Sequence, residues 1–301
     1  MTVEELVQQA EAALQAAGVH FGHGTTNAYD EAAWLVLWRL GLPLDALEAV
    51  AAQDVAPVQA EQVQTLVAER IATRKPAAYL TGEAWLQGVP FFVDERVIVP
   101  RSLIAEPLAE GSIDVWLTEK THHVLDLCTG NGSLAVLAAL AWPEVTVDAT
   151  DLSADALAVA AGNVQRHGLA DRITLLQGDG LAAVAGRTYD LILCNPPYVN
   201  RASMAALPAE YRAEPALALD GNVDGSDDGM DFIRRLLAAV PAHLNDDAVL
   251  VLEIGHERPF FEAAFPLLDV VWLSTSAGDE QVLLVTAEAL RAAAPNTPET
   301  P

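Results

Sequence analysis

Cysteine is nearly missing from this chain of 301 residues: there are two, Cys128 and Cys194, each inside an apolar run. That number excludes a disulfide scaffold and is too small for a cysteine-based zinc site. Lysine is as rare, with Lys75 and Lys120 alone. Basic residues total 16 against 42 acidic ones, a formal net charge of −26. The first eighty residues hold ten acids and four bases, so most of the excess lies beyond them. Proteins that grip a phosphate backbone draw affinity from a basic face and released counterions, so no direct binding to nucleic acid is expected. Such a charge serves solubility, or it steers a basic protein partner towards the chain. No stretch approaches twenty consecutive apolar residues, which argues against a membrane span. Met1–Ala17 carries acids and glutamines without a basic or apolar leader segment. A signal peptide is therefore not expected, and the cytoplasm is the expected compartment. No HExxH and no nucleophile triad can be picked out, and the seven histidines read as surface or satisfied core residues.

What the chain does have is apolar material, 52% of residues against 19% charged, enough for a substantial core. Thr2–Ala17, Asn27–Leu40, Leu44–Ala52 and Val58–Lys75 carry helical spacing, as in Leu35, Trp38 and Leu42, with breaks at Pro43 and Pro57. They delimit a small helical domain, residues 1–82. Residues 83–101 change texture: a turn at Gly88-Val89-Pro90 and the run Phe91-Phe92-Val93 predict a β-hairpin linker that closes at Pro100-Arg101-Ser102. Residues 102–301 form the third unit. There, strands at 124–127, 145–150, 173–176, 189–194, 249–254, 270–274 and 282–285 alternate with helical patterns. This alternation predicts an α/β fold whose sheet is mostly parallel, with helices on both faces. The last two strands are too close for a crossover helix and are expected to form an antiparallel edge. No internal repeat is found, and the tail Pro295–Pro301 is expected to fray.

Three acids and a glycine turn fall on successive strand ends. Asp126-Leu127-Cys128-Thr129-Gly130-Asn131-Gly132 closes one strand and opens a helix, and Gly130 and Gly132 allow a ligand close to the backbone. With Ala135 the run also fits G-x-G-x-x-A, so a nicotinamide dehydrogenase is one reading. Asp151, followed by Leu152, ends the next strand, where a carboxylate can accept from two ribose hydroxyls. Asp179, beside Gly180, ends the third and can accept from an adenine amino group. Each alone reads as a cap or turn residue. Together, on the carboxyl edge of one sheet, they favour a nucleoside cofactor. The strand Tyr189–Cys194 then runs into Asn195-Pro196-Pro197-Tyr198. Two prolines fix the backbone and remove two donors. That leaves the Asn195 side-chain oxygen and the Pro196 carbonyl to accept from a planar NH₂ group, with the Tyr198 ring to stack beside it.

Asp126-x-Cys-Thr-Gly-x-Gly followed by Asn-Pro-Pro-Tyr resembles the class I S-adenosylmethionine methyltransferases that act on planar NH₂ groups. Val99–Glu106, Glu214-Pro215-Ala216-Leu217-Ala218-Leu219 and Asp228-Gly229-Met230-Asp231 narrow this to the HemK-like protein-(glutamine-N5) methyltransferases. The release-factor branch usually has Gly where Cys128 stands and Pro where Ser102 stands. Ala78-Tyr79-Leu80-Thr81, Glu83-Ala84-Trp85 and Pro100-Arg101-Ser102 look instead like the PrmB type, which methylates a glutamine of large-subunit ribosomal protein three. The similarity spans residues 30–290. It implies S-adenosylmethionine as cofactor, S-adenosylhomocysteine as product and a basic ribosomal protein as partner. It also implies substrate recognition by residues 1–82. By residue, it implies cofactor contacts from Asp126, Cys128, Thr129, Gly130, Asn131, Gly132, Asp151, Leu152, Asp179, Gly180 and Asn195. Asn195, Pro196, Pro197 and Tyr198 would be catalytic, and Pro100, Arg101, Asn195, Pro196 and Tyr198 would hold the substrate. Two departures stand out: Asn131, where Ser is common, and the aspartate-rich loop Asp220–Asp231. The alternatives are a release-factor glutamine methyltransferase, a nucleic-acid amino-group methyltransferase, the dehydrogenase, and a non-catalytic adapter for the ribosomal protein.

Overall fold

Thr2 starts the first helix with a capping box, its hydroxyl accepting from the Glu5 N–H while the Glu5 carboxylate accepts from the Thr2 N–H. The computed structural model describes residues 1–293, so the Pro295–Pro301 tail lies outside the described residues. Helix α1 (Val3–Ala16) packs on α2 (Ala28–Leu40), which Asn27 caps and Gly41 ends, and on α4 (Pro57–Thr73), which has proline in its first turn. Their facing stripes, Leu6, Leu14, Leu35, Leu37, Val63 and Val67 among them, make one apolar core. The helix expected over Leu44–Ala52 is only the four residues of α3 (Leu47–Val50). A fifth helix, α5 (Ala77–Thr81), leads into the linker.

Strands β1 (Glu83–Leu86) and β2 (Val89–Phe92) pair antiparallel. Gln87 and Gly88 both hold positive φ, 49° and 75°, so the turn is a two-residue one whose twist matches the strands. It therefore lies one residue earlier than the sequence pattern suggests. Strand β2 ends at Phe92, with one further bond from the Val93 N–H to the Gly82 carbonyl, and the Asp94 carboxylate then accepts from the Arg96 N–H and guanidinium and curls the chain. Asn163 binds the hairpin to the third unit: its Oδ1 accepts from Phe92 N–H at 2.8 Å, and its Nδ2 donates to the Phe92 and Asn131 carbonyls, both at 2.9 Å.

The third unit opens with α6 (Ala105–Ala109) and then alternates β3 (His123–Leu127), α7 (Ser133–Ala141), β4 (Thr146–Asp151), α8 (Ala154–Arg166), β5 (Ile173–Gln177), β6 (Tyr189–Cys194) and α9 (Arg201–Ala206). It closes with α10 (Asp231–Ala239), β7 (Leu244–Glu253), α11 (Arg258–Ala264), β8 (Val271–Thr275), β9 (Gly278–Thr286) and α12 (Ala287–Ala293). The seven strands lie in the order β5-β4-β3-β6-β7-β9-β8, with β9 antiparallel to both its neighbours. Successive side chains alternate faces: Val124, Leu191, Leu193, Val249 and Val251 meet α6, α7 and α8 on one side. Leu125, Leu127, Ile192, Leu250 and Leu252 meet α10, α11 and α12 on the other. Strands buried on both faces must read as continuous apolar runs, which is why the sequence shows them so clearly.

Two buried acids from the segment after α9 reach the other units. Glu210 accepts from the His20 N–H and from Arg74 at 3.2 Å, next to the buried Arg70–Glu31 pair at 2.8 Å. Glu214 accepts from the Val99 N–H at 2.9 Å and from both terminal nitrogens of Arg101 at 2.6 and 2.8 Å, with His23 Nε2 at 3.4 Å. Burial alone would raise the Glu214 carboxyl, but Arg101 and His23 hold it at about 2. A depressed carboxyl stabilises the fold above its unfolded value and loses that contribution as pH falls through its folded value. Glu214→Gln is therefore expected to cost about 3 kcal/mol near neutral pH. The gap between variant and parent should close as pH drops from about 4.5 towards about 2. Denaturant unfolding of both proteins across that range measures it, and a gap independent of pH contradicts the role given to Glu214.

Candidate active site

The carboxyl ends of β3, β4, β5 and β6 open onto one cavity. Its floor is the turn after β3. Cys128 takes φ of 63°, and Gly130 and Gly132 take 56° and 83°. A Cβ on Gly132 would press on Ala160 of α8 at 3.2 Å, so glycine there lets two helices approach, while the space above Gly130 is open. Asp126 holds the turn from below: its Oδ2 accepts from the Thr129 hydroxyl and from the Ala135 N–H at 3.0 Å. Burial pushes its carboxyl up to about 7 despite these bonds. Asp151 holds the same turn from the side, Oδ2 accepting from the Gly130 N–H at 2.9 Å and Oδ1 from the Ser153 N–H at 2.8 Å. Each oxygen keeps a lone pair for a ligand hydroxyl.

Of the residues singled out in the sequence, Pro100, Arg101, Cys128, Thr129, Gly130, Asn131, Asp151, Leu152, Asp179, Gly180, Asn195 and Pro197 line this cavity together. Asp126, Gly132, Pro196 and Tyr198 do not. Asp126 is turned under the glycine turn and Gly132 into the helix contact, while Pro196 is buried. The Tyr198 hydroxyl donates to Glu253 Oε1 at 3.2 Å, with its ring against Gly255. Tyr198 thus braces the wall from behind. The Asp179 carboxylate lies 3.6 Å from Arg235, which also sits 3.4 Å from Asp224. The aspartate-rich loop is internally paired rather than a free acidic face: Asp227 pairs with Arg201, Asp228 with Arg234, and Asp231 accepts from the Asp224 and Ser226 N–H groups.

Asn195 is the one side chain of its turn that stays uncommitted. It lines the cavity, half-buried, and its amide makes no hydrogen bond to any described residue. Two further polar atoms on the wall, Asn131 Nδ2 and Thr150 Oγ1, are buried without a partner. An unpaired buried polar atom costs about 1–3 kcal/mol, and both of these belong to residues that line the cavity. Glycine floor, ribose-ready carboxylate and orphaned donors fit a nucleoside cofactor with an amino-acid tail. The sequence missed Thr150, Phe232 and Arg235 on the wall and Glu253 behind it. Glu253 had a signal, an acid ending the apolar run Val249–Leu252; the others had none.

The sheet order and this site define a class I, Rossmann-like S-adenosylmethionine-dependent methyltransferase. The family model of the methyltransferase small domain matches residues 113–216, and that of the PrmC N-terminal domain matches residues 5–82. The "Ribosomal protein uL3 glutamine methyltransferase" of Bordetella pertussis is 55% identical over 291 residues, covering 96% of each chain. That of Burkholderia pseudomallei is 51% identical over 301 residues, covering 97% of each. That of Neisseria meningitidis serogroup A is 45% identical over 291 residues, 96% of this chain and 94% of its own. The chain belongs to the family of ribosomal protein uL3 glutamine methyltransferases.

The Asp151 geometry carries a measurable consequence. Asp151→Ala is expected to weaken S-adenosylmethionine binding by roughly 1.5–3 kcal/mol, the size of a lost charge-assisted hydrogen bond. Calorimetric titration of the folded variant reads it, and an unchanged dissociation constant removes Asp151 from the ribose.

Proposed function

We propose that this enzyme transfers the methyl group of S-adenosylmethionine to the side-chain amide nitrogen of a glutamine in ribosomal protein uL3. The observation that carries the reading is the uncommitted Asn195 amide at the mouth of a cofactor cavity. The relatives' shared name supports the choice of protein. In this reading Gly130, Asn131 and Thr150 hold the amino-acid end of the cofactor, Asp151 the ribose and Asp179 the adenine. When bound, the cofactor supplies an electrophilic methyl group on a sulfonium. The glutamine nitrogen is a poor nucleophile because its lone pair is delocalised into the carbonyl. Asn195 Oδ1 accepts from the substrate NH₂, orients it and raises density on nitrogen, and the N–H proton that the methyl group replaces is lost to solvent. Pro197 keeps the turn rigid, and Tyr198 holds it through Glu253. Arg101, paired with Glu214, adds its guanidinium to the wall.

Ser102 favours this reading over the release-factor branch. Its hydroxyl donates to Glu253 Oε2 at 2.7 Å, a bond that the proline usual at that position in the other branch cannot make. A nucleic-acid substrate sits badly with a charge of −26. The same charge suits a cationic ribosomal protein in the cytoplasm. Among the described residues no helix is long and apolar enough to cross a membrane.

Two outcomes test the reading. Asn195→Ala is expected to lower turnover by about two orders of magnitude, as for one lost preorganised polar contact, with little change in cofactor affinity. Methyl transfer near the parent rate would reduce Asn195 to a bystander. Secondly, the association rate with the protein substrate is expected to fall steeply between about 50 and 300 mM salt, because long-range attraction is screened over about 8–10 Å. Stopped-flow binding measures this, and a flat salt profile makes the acidic excess a matter of solubility.

A further inference from the structure

The two edges of the β1–β2 hairpin are finished differently. In a two-residue hairpin the closing pair, Leu86 and Val89, is hydrogen-bonded, and bonding alternates from there. The Val93 N–H to Gly82 carbonyl bond continues that alternation. The backbone groups of Glu83, Trp85, Pro90 and Phe92 must then point outwards. On β2 they are capped: Asn163 takes both groups of Phe92, the His167 ring meets the Pro90 carbonyl at 2.9 Å, and Pro90 has no N–H to satisfy. On β1 the N–H and C=O of Trp85 and the N–H of Glu83 have no partner among the described residues. The Glu83 carbonyl has only the Thr81 hydroxyl at 3.3 Å. Folded proteins usually blunt such an edge. Here one edge is blunted with care and the other is left open, beside Trp85, 46% exposed, and Phe92, 39% exposed, which share the hairpin's outer face.

We propose that the β1 edge is a docking strand for an extended segment of the polypeptide substrate, which adds to the hairpin as a third strand through the backbone of Glu83 and Trp85. Pairing of this kind takes affinity from main-chain bonds and sets register by alternation. An enzyme that must present one glutamine side chain to a fixed cavity needs that register. The edge is joined to the cavity in two ways. Asn163, which caps β2, also donates to the carbonyl of Asn131 on the cofactor turn. The chain from Val93 reaches the cavity wall at Arg96, three residues or at most about 11 Å away. A second copy of this chain is a poor occupant, since edge-to-edge pairing would bring together two bodies each carrying −26. A cationic polypeptide meets no such repulsion. The proposal rests on uL3 being the substrate.

Hydrogen exchange tests it. The enzyme is saturated with S-adenosylhomocysteine and exchange is followed with and without recombinant unmethylated uL3. The Glu83 and Trp85 amides, open in the free enzyme, are expected to slow by about tenfold or more on binding. The Phe92 amide, already held by Asn163, should change little. Trp85→Pro, which deletes one outward N–H at an edge position that tolerates proline, should raise KM for uL3 about tenfold with kcat and cofactor affinity kept. Trp85→Ala, which keeps the N–H, should have the smaller effect. Methylation of uL3 without slowing at Glu83 and Trp85 overturns the docking strand alone. Slowing that appears without uL3 as enzyme concentration rises assigns the edge to self-association and overturns it too. No methylation of uL3 by the parent enzyme overturns the substrate reading, and this inference with it.

Discussion

The Glu253 carboxylate, buried at the end of β7, is the contact on which the Asn-Pro-Pro-Tyr side of the cavity depends. It accepts from the Tyr198 hydroxyl, the Ser102 hydroxyl and the Leu103 N–H, three groups from two segments far apart in the chain. Burial raises its carboxyl above the usual range, and these donors act against that shift. A carboxylate so placed is costly unless its lone pairs are filled. Filling them fixes the Asn-Pro-Pro-Tyr turn against the end of the linker. Asn195 can then stay free of hydrogen bonds because its neighbours hold the turn.

Glu214 and Glu210 repeat the device at the boundary between the helical domain and the sheet. Each leaves the segment after the Asn-Pro-Pro-Tyr turn and is taken up by arginines and backbone amides of the first 101 residues. Pro215, Leu217 and Ala218 of the same segment line the cavity. The chain therefore builds one wall of its site from residues that also tie down its N-terminal helices. Glu214, in contact with His23 and Arg101, joins those helices to the cavity wall.

How much of this was legible in the sequence follows from how local each feature is. Strands buried on both faces, the glycine turn, Asp151 and the Asn-Pro-Pro-Tyr run declare themselves because short-range backbone chemistry dictates their residues. The polar ends of β7 and β9, at Asn245–Asp247 and Gly278–Glu280, escaped because exposed strand ends carry no apolar pattern. The facing of a side chain was not legible. Asp126 and Tyr198 have the chemistry of ligand contacts, yet one lies under the turn and the other behind it. The tertiary partners of Glu253, Glu214 and Asn163 were equally hidden, since each acts on residues more than seventy positions away. The aspartate-rich loop misled in the other direction, its charges being met by Arg201, Arg234 and Arg235.

The central claim is that a glutamine amide of one ribosomal protein receives the methyl group. Incubating the enzyme with isotopically labelled S-adenosylmethionine and ribosomal proteins from cells lacking it, followed by mass spectrometry of the labelled product, tests this most directly. The account predicts a single labelled glutamine in uL3. Label on a release factor, on RNA or on a residue other than glutamine would contradict it.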